Sequence, residues 1–255
     1  MSETTSRLVA EYLRLDTVSI HLLSRTAQHH RKHRVLAFVS LHMAPNRFTD
    51  REQAGAELGE RLREQGIDAD IVLAIPRGGL PLGRAVADAL DAPLDIVVAS
   101  KIGAPHNPEY AIGAVASDGS VWRNEEAFRT SAIDERYFEQ QREAEQENAR
   151  EKARRYRGDR PEPDLTDETV ILVDDGVATG STIRACLEQI RNADPDRIVV
   201  ALPVGPSDTI ADLEATVDEV VCLETPARFR AVGQAYDRFE QVSDERAMSY
   251  LDAGS

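Results

Sequence analysis

A strand that ends in two carboxylates and leads into a turn rich in glycine and hydroxyl groups is the part of this sequence best suited to chemistry. Residues 170–173 are apolar and predict a buried strand, which Asp174 and Asp175 follow directly. Beyond the turn, Ile183 and Leu187 recur at helical spacing, so the first N–H groups of a helix could bind an anion there. The carboxylates repel an anion but can accept hydrogen bonds from vicinal hydroxyls. A sugar that carries a phosphate would satisfy both halves of this motif.

The stretch 170–182 resembles the loop that binds phosphoribosyl pyrophosphate (PRPP) in type I phosphoribosyltransferases. The resemblance implies that Asp174 and Asp175 hold the 2′- and 3′-hydroxyls of the ribose. It also implies that the turn cradles the 5′-phosphate through Gly176, Val177, Ala178, Thr179, Gly180, Ser181 and Thr182. An ordinary core strand with capping Asp and hydroxyl side chains is the alternative. A Walker-type loop is disfavoured, because Gly-Lys-Ser/Thr does not occur there.

A second loop, Pro76 to Gly79, follows a predicted buried strand and is suited to pyrophosphate. Gly78 and Gly79 permit a close backbone approach to a ligand, and the Arg77 guanidinium can grip phosphate oxygens with two parallel hydrogen bonds. The loop resembles the pyrophosphate loop of the same family. That resemblance predicts a strained or cis non-proline peptide near Arg77. A tight turn with a solvated arginine is the alternative.

Lys101 stands directly after another predicted strand and is the only lysine between Met43 and Arg150. We predict a loop over 100–111, in which this lysine neutralises a phosphate as a point charge. The segment resembles the flexible loop that closes over PRPP in adenine-type members of the family. A surface lysine before an ordinary ordered loop is the alternative.

The resemblance implies a pentosyl transfer, in which an acceptor displaces pyrophosphate from C1 of PRPP. Arg77, Lys101 and a Mg²⁺ ion would stabilise the leaving group, and Mg²⁺ often binds through substrate phosphates rather than directly to protein. Phe229 and Tyr236 are candidates for stacking on a planar acceptor, with core packing as the alternative. Hypoxanthine-guanine members carry an Asp where this chain has Ala178. The layout is therefore most similar to a little-characterised branch of predicted phosphoribosyltransferases, with a nitrogenous but unnamed acceptor.

The composition narrows the classes of function. A net charge of −15 argues against sequence-independent nucleic-acid binding, and the absence of an apolar run of 18 residues predicts no membrane span. Two cysteines at predicted core positions fit a reducing cytoplasm, and the acidic, lysine-poor composition resembles that of salt-adapted proteins. A PRPP-sensing regulator without catalysis and a hydrolase or phosphorylase of another ribose phosphate are the alternatives to a transferase. A homodimer is compatible with the sequence, which does not fix the oligomeric state.

The elements that must position these loops alternate between strand and helix. This order predicts an α/β fold, a doubly wound and mainly parallel sheet with a small hood or lid. Ligand-binding loops of such a sheet lie beyond the carboxyl ends of its strands. Strands are predicted at 70–75, 94–99, 169–173, 197–202 and 217–223, and helices at 50–65, 80–90, after Gly180 and near 207–215. Short strands around Asp118-Gly119 and a long, charged surface helix within 125–158 complete the prediction.

Residues 1–42 differ from the rest of the chain. They hold five of the six histidines and six Lys/Arg against three Asp/Glu, whereas the remainder carries a net charge of −18. We therefore expect the phosphoribosyltransferase domain to occupy 43–255, with 1–42 as an N-terminal extension. Translated upstream sequence, with Met43 as the true start, is the favoured explanation.

Overall fold

The computed structural model describes residues 47–130 and 133–252. In chain order its strands are β1 (Ile71–Ala74), β2 (Leu94–Ile96), β3 (Ala99–Ala104), β4 (Asn107–Ala116), β5 (Val121–Arg123), β6 (Thr169–Val173), β7 (Arg197–Val204) and β8 (Glu219–Glu224). Its helices are α1 (Arg51–Glu64), α2 (Gly79–Leu90), α3 (Glu125–Thr130), α4 (Glu135–Arg157), α5 (Ser181–Arg191), α6 (Ser207–Glu214) and α7 (Asp244–Asp252), with a 3₁₀ turn at Val232–Ala235. The proposed extension 1–42 lies outside the described residues.

Within the described residues, the main sheet has five parallel strands in the order β2-β1-β6-β7-β8. Apart from Thr169 and Arg197 at the starts of β6 and β7, its central strands are apolar and buried, because both of their faces are covered. One face packs on α1, α2 and α7, with Leu58 and Val86 in its core, and the other packs on α5 through Ile183 and Leu187. The predicted doubly wound α/β fold is confirmed.

Local sequence signals account for several of the element boundaries. The Asp50 carboxylate accepts a hydrogen bond from the N–H of Gln53 and so caps the start of α1. Gly66 follows the end of that helix with a φ of +70°, a conformation that favours glycine. Asp118 accepts from the N–H of Ser120 in the turn between β4 and β5, where a hairpin was predicted.

The predicted loop 100–111 is wrong, because this segment is largely strand. β3, β4 and β5 form a separate antiparallel sheet, and the turn between β3 and β4 is confined to residues 105–106. The predicted strand 94–99 is accordingly divided: β2 ends in the main sheet at Ile96, and β3 begins in the second sheet at Ala99. Glycines and prolines indicated a loop here, but Pro105 lies in the short turn and the shifts in register on both sides of Gly103 keep the remainder paired.

The predicted long charged helix is present as α4, but it is more than a solvated surface element. Its apolar positions Phe138, Ala149, Ala153 and Tyr156 are buried against the rest of the fold. These widely spaced residues form a narrow stripe, which the high charge of the helix concealed. None of the described helices is long and apolar enough to cross a membrane.

Candidate functional site

Two of the three predicted loops meet at neighbouring strand ends. β1 and β6 pair in parallel up to Ala74 and Val173, so the loops that follow them leave the same edge of the sheet side by side. A Cβ atom at Gly79 would lie 2.8 Å from the carbonyl oxygen of Val173, and one at Gly78 would lie 2.1 Å from Oδ2 of Asp175. Neither position has room for a side chain. The predicted cis non-proline peptide is found between Pro76 and Arg77.

The acid pair, Asp174 and Asp175, lies half-buried at the carboxyl end of β6. The N–H of Asp175 donates to Oδ1 of Asp174 over 2.8 Å. Burial, together with the neighbouring Asp175 carboxylate, raises the pKa of Asp174 well above its usual value, whereas Lys152 and Arg51 act in the opposite direction. Ionisation of both carboxyl groups is thus costly unless cations or hydroxyl donors lie around them.

Arg51, the first residue of α1, is a site residue that sequence reasoning missed. Its Nε and Nη2 atoms both lie 2.8 Å from Oδ2 of Asp175, and its side chain is 10% exposed. Burial raises the pKa of Asp175, and the Arg51 guanidinium opposes that shift. The position after a helix cap gave no sign of this contact, which joins residues 124 positions apart.

Lys152, near the end of α4, is a second cation that was missed. Its Nζ atom donates to the carbonyl oxygen of Pro76 over 2.7 Å, in the loop that carries Arg77. Burial lowers the pKa of Lys152, and the charge of Asp174 opposes that shift. The sequence did offer a sign of this residue: lysine is as scarce around Lys152 as around Lys101, which was singled out on that ground.

The turn after the acid pair is organised as a phosphate site would require. Gly176 and Gly180 adopt φ angles of +145° and +75°, and α5 begins without a side-chain cap on its first N–H groups. The hydroxyls of Thr179 and Ser181 lie 3.0 Å apart at the start of the helix. Thr209 of α6 donates to the carbonyl of Ala178, so a second helix supports the turn. Val177 and Thr182 complete the predicted set in this turn.

The two predicted leaving-group cations are placed differently. Arg77 lies in the site and pairs with Asp244 at the start of α7, with 3.4 Å between Nη1 and Oδ1. Lys101 lies on β3, where its Nζ is 3.1 Å from Oε2 of Glu109 and 3.2 Å from the Glu109 carbonyl. Among the described residues, the contacts of the Lys101 ammonium stay within its own hairpin. The structure therefore brings the loop that carries Arg77, but not Lys101, against the acid pair.

The two candidate acceptor residues also differ. Tyr236 is 1% exposed, and its hydroxyl donates to the backbone carbonyl of Asp175 over 2.6 Å. Its ring packs on Phe48 and Phe239, so it has no open face for an acceptor and its predicted stacking role is wrong. Phe229 lines a cavity of about 240 Å³ beyond the ends of β7 and β8, together with Glu224 and other residues.

Comparison with known proteins agrees with this arrangement. Residues 46–237 match the sequence model of the phosphoribosyl transferase domain. Two proteins of Mycobacterium tuberculosis, from strains CDC 1551 and H37Rv, are both called putative phosphoribosyl transferases. Each is 40% identical to this chain over 205 residues, which cover 80% of the chain and 46% of the relative. The chain thus spans about half the length of the curated relatives it matches.

A solved structure is also similar over nearly its whole length. The crystal structure of TT1426 from Thermus thermophilus is 41% identical, with a TM-score of 0.69. The match covers 80% of this chain and 97% of that one. The described fold and the family match therefore rest on both sequence and structure.

Proposed function

Because the chain belongs to the phosphoribosyl transferase domain family, we propose that it transfers the 5-phosphoribosyl group of PRPP to a nitrogenous acceptor with release of pyrophosphate. The observation that carries the proposal is the meeting of two loops at one sheet edge. Loop 76–79 packs so closely on Asp175 that no Cβ atom fits between them. A ligand that reaches both loops must carry hydrogen-bond donors for the acid pair and an anionic group for Arg77.

The acid pair and the turn suit opposite ends of a ribose phosphate. Asp174 and Asp175 can accept hydrogen bonds from the ribose hydroxyls at the end of β6. The uncapped N–H groups at the start of α5 and the hydroxyls of Thr179 and Ser181 can donate to the 5′-phosphate. In this proposal the sugar would lie along the turn with its hydroxyls toward the end of β6 and its phosphate toward the start of α5.

The leaving group would then face the loop that follows β1. Arg77 can exchange its ion pair with Asp244 for pyrophosphate oxygens, which match its paired N–H donors. Lys152, which donates to Pro76, adds positive charge beside that loop. As the C1–oxygen bond breaks, negative charge grows on pyrophosphate, and cations placed beforehand stabilise that charge. For Lys101 to act on the pyrophosphate as well, its hairpin would have to move toward the loop that carries Arg77.

Mg²⁺ fits this chemistry as an ion carried by the substrate. Among the described residues no group of three or more His, Cys, Asp and Glu side chains is placed to hold a metal, whereas PRPP itself offers many oxygen ligands. The PRPP oxygens would hold the ion, and Asp174 and Asp175 would accept hydrogen bonds from its bound water. When bound, it supplies positive charge to the leaving pyrophosphate.

Pyrophosphate release from PRPP with a panel of nucleobases and other nitrogenous acceptors tests the proposal. Isothermal titration with PRPP and with ribose 5-phosphate, both with Mg²⁺, belongs to the same experiment. We expect tighter binding of PRPP and acceptor-dependent release of pyrophosphate. Tight binding of PRPP without turnover would support the alternative of a PRPP-sensing regulator. Equal binding of the two ligands would contradict a pyrophosphate clamp and favour a hydrolase or phosphorylase.

A further inference from the structure

The ion pair between Arg51 and Asp175 gives the acid pair a support from outside the ligand loops. We propose that Arg51 is a positioning residue for the ribose: it orients Asp175 and makes the segment 236–240 part of the same support. This inference rests on the proposed binding of PRPP. It assigns to the start of α1 and to the C-terminal segment a role in substrate affinity, which the motif 170–182 alone does not contain.

The Arg51 guanidinium is held on every side. Nε and Nη2 bind Oδ2 of Asp175, and Nη1 donates to the backbone carbonyl of Glu240 over 2.7 Å. The centre of the guanidinium lies 3.8 Å from the centroid of the Phe239 ring. Five donors in a planar fork suit this arrangement, and a lysine could reproduce the charge but not the three directions. The side chain therefore has little freedom to leave Asp175.

Asp175 is held from its other sides as well. The Tyr236 hydroxyl binds its backbone carbonyl, and the backbone of Gly78 packs against its carboxylate. Both Arg51 contacts end on Oδ2, and within 47–130 and 133–252 no hydrogen bond ends on Oδ1. Oδ1 is thus the oxygen of this residue that can receive a ribose hydroxyl. Arg51 fixes which oxygen that is.

Other contacts than that of Arg51 can join the start of α1 to the C-terminal region, and they allow a purely structural role to be tested. The start of α1 is joined to the C-terminal region by two further arginine–carboxylate pairs, Arg246 with Glu52 and Arg238 with Asp50. Both lie at the surface, and their arginines are more than 60% exposed. These pairs can dock the same elements without touching the acid pair. Arg246 therefore provides a matched control, since its removal loosens the same junction but leaves Asp175 untouched.

The experiment compares Arg51→Met, Arg51→Lys, Asp175→Asn, the double variant Arg51→Met/Asp175→Asn and the control Arg246→Met. Thermal melting measures stability, and titration with PRPP and with ribose 5-phosphate, at a temperature where each variant is folded, measures affinity. We expect Arg51→Met to lose at least about 10-fold in affinity for both ligands, since both carry the ribose hydroxyls. Arg51→Lys should recover part of that loss. Arg246→Met should bind both ligands as the unmodified chain does.

The double variant separates positioning from general damage. If Arg51 acts through Asp175, removing Arg51 in the Asp175→Asn background should cost less than about 2-fold, because the orienting partner is already neutral. Losses that multiply independently would overturn the proposal, and so would unchanged affinity in folded Arg51→Met. Should Arg51→Met fail to fold, Arg51→Lys combined with Asp175→Asn completes the same cycle. Absence of PRPP binding by the unmodified chain would overturn the proposed function and this inference together.

Discussion

The loop 174–182 and the segment 100–111 were both predicted to bind the same ligand, yet the second lies in the hairpin 99–116 and the two are built in opposite ways. The loop lies at the end of a buried parallel strand and is contacted by α1, α6 and the C-terminal segment. The hairpin belongs to a separate antiparallel sheet, and its tip, residues 105–110, is exposed. A side chain that follows a buried strand is therefore positioned by contacts from several elements of the fold. A group on a projecting hairpin is positioned mainly by its own turn.

The cations illustrate the same difference. Lys101 pairs with Glu109 of its own hairpin, where the carboxylate is 92% exposed. Lys152 and Arg51 reach the enclosed loops from helices far away in sequence. Charges in the enclosed region are less screened by water than those on the hairpin. Substitutions in the loop region should therefore have larger effects than substitutions in the hairpin.

The double substitution Asp174→Asn/Asp175→Asn should have the largest effect. It removes two charged acceptors, each of which contributes about 1.5–3 kcal/mol to a hydrogen bond, so PRPP affinity should fall on the order of 1000-fold. Titration with PRPP measures this, with Asp212→Asn as an exposed control. The chain should stay folded, with a melting temperature lowered because Arg51 loses its charged partner. Affinity close to that of the unmodified chain would show that the pair does not hold the ribose.

Gly78→Ala should have the next largest effect, through shape alone. Gly78 has φ −63° and ψ −36°, which alanine adopts freely, but the new Cβ would collide with Asp175. A displacement of about 1 Å can cost about 100-fold in activity, so kcat/KM should fall by that order. Gly66→Ala is the control, because open space surrounds that glycine and its cost is confined to backbone strain. If Gly78→Ala were as active as the unmodified chain, the loop would be less closely packed than described.

Lys152→Met should reduce kcat/KM by roughly 30-fold, since one hydrogen bond to a charged group and its field at the site are lost. The loss should be larger for PRPP turnover than for ribose 5-phosphate binding. Arg150→Met, an exposed arginine two positions earlier in α4, serves as control and should leave turnover unchanged. Equal losses in the two measurements would indicate that Lys152 supports the fold rather than the leaving group.

Lys101→Ala should have the smallest effect, about a 5-fold reduction in kcat with ribose 5-phosphate binding unchanged. Glu109→Ala frees the Lys101 ammonium and should raise PRPP affinity slightly, by about 2-fold. Steady-state kinetics and titration measure both. A loss for Lys101→Ala as large as that of the acid-pair variant would contradict the expected difference between the two regions, because the exposed hairpin would then close firmly over the substrate.

Prediction from sequence placed the residues correctly where a motif lies within one contiguous segment. The run from Val170 to Thr182 contains its strand, its carboxylates and its helix start, so chain order alone places them. Arg51 and Lys152 could not be found in this way, and Tyr236 was assigned the wrong role, because tertiary packing brings each to the site from a distant element. The hairpin was missed for a related reason. Glycine and proline suggested a loop, but cross-strand pairing with β4 outweighed their local preference.

The absence of space at Gly78 has a consequence for how this motif can be moved between proteins. The loop 174–182 is complete as a sequence, yet Asp175 fits only where a neighbouring strand end offers a bare backbone and a helix offers an arginine. A graft of these nine residues onto another parallel sheet would transfer the carboxylates without the glycine backbone and the arginine that surround Asp175. The smallest transplantable unit is therefore a composite of both strand ends and the start of α1, which an engineer would have to transfer as one block.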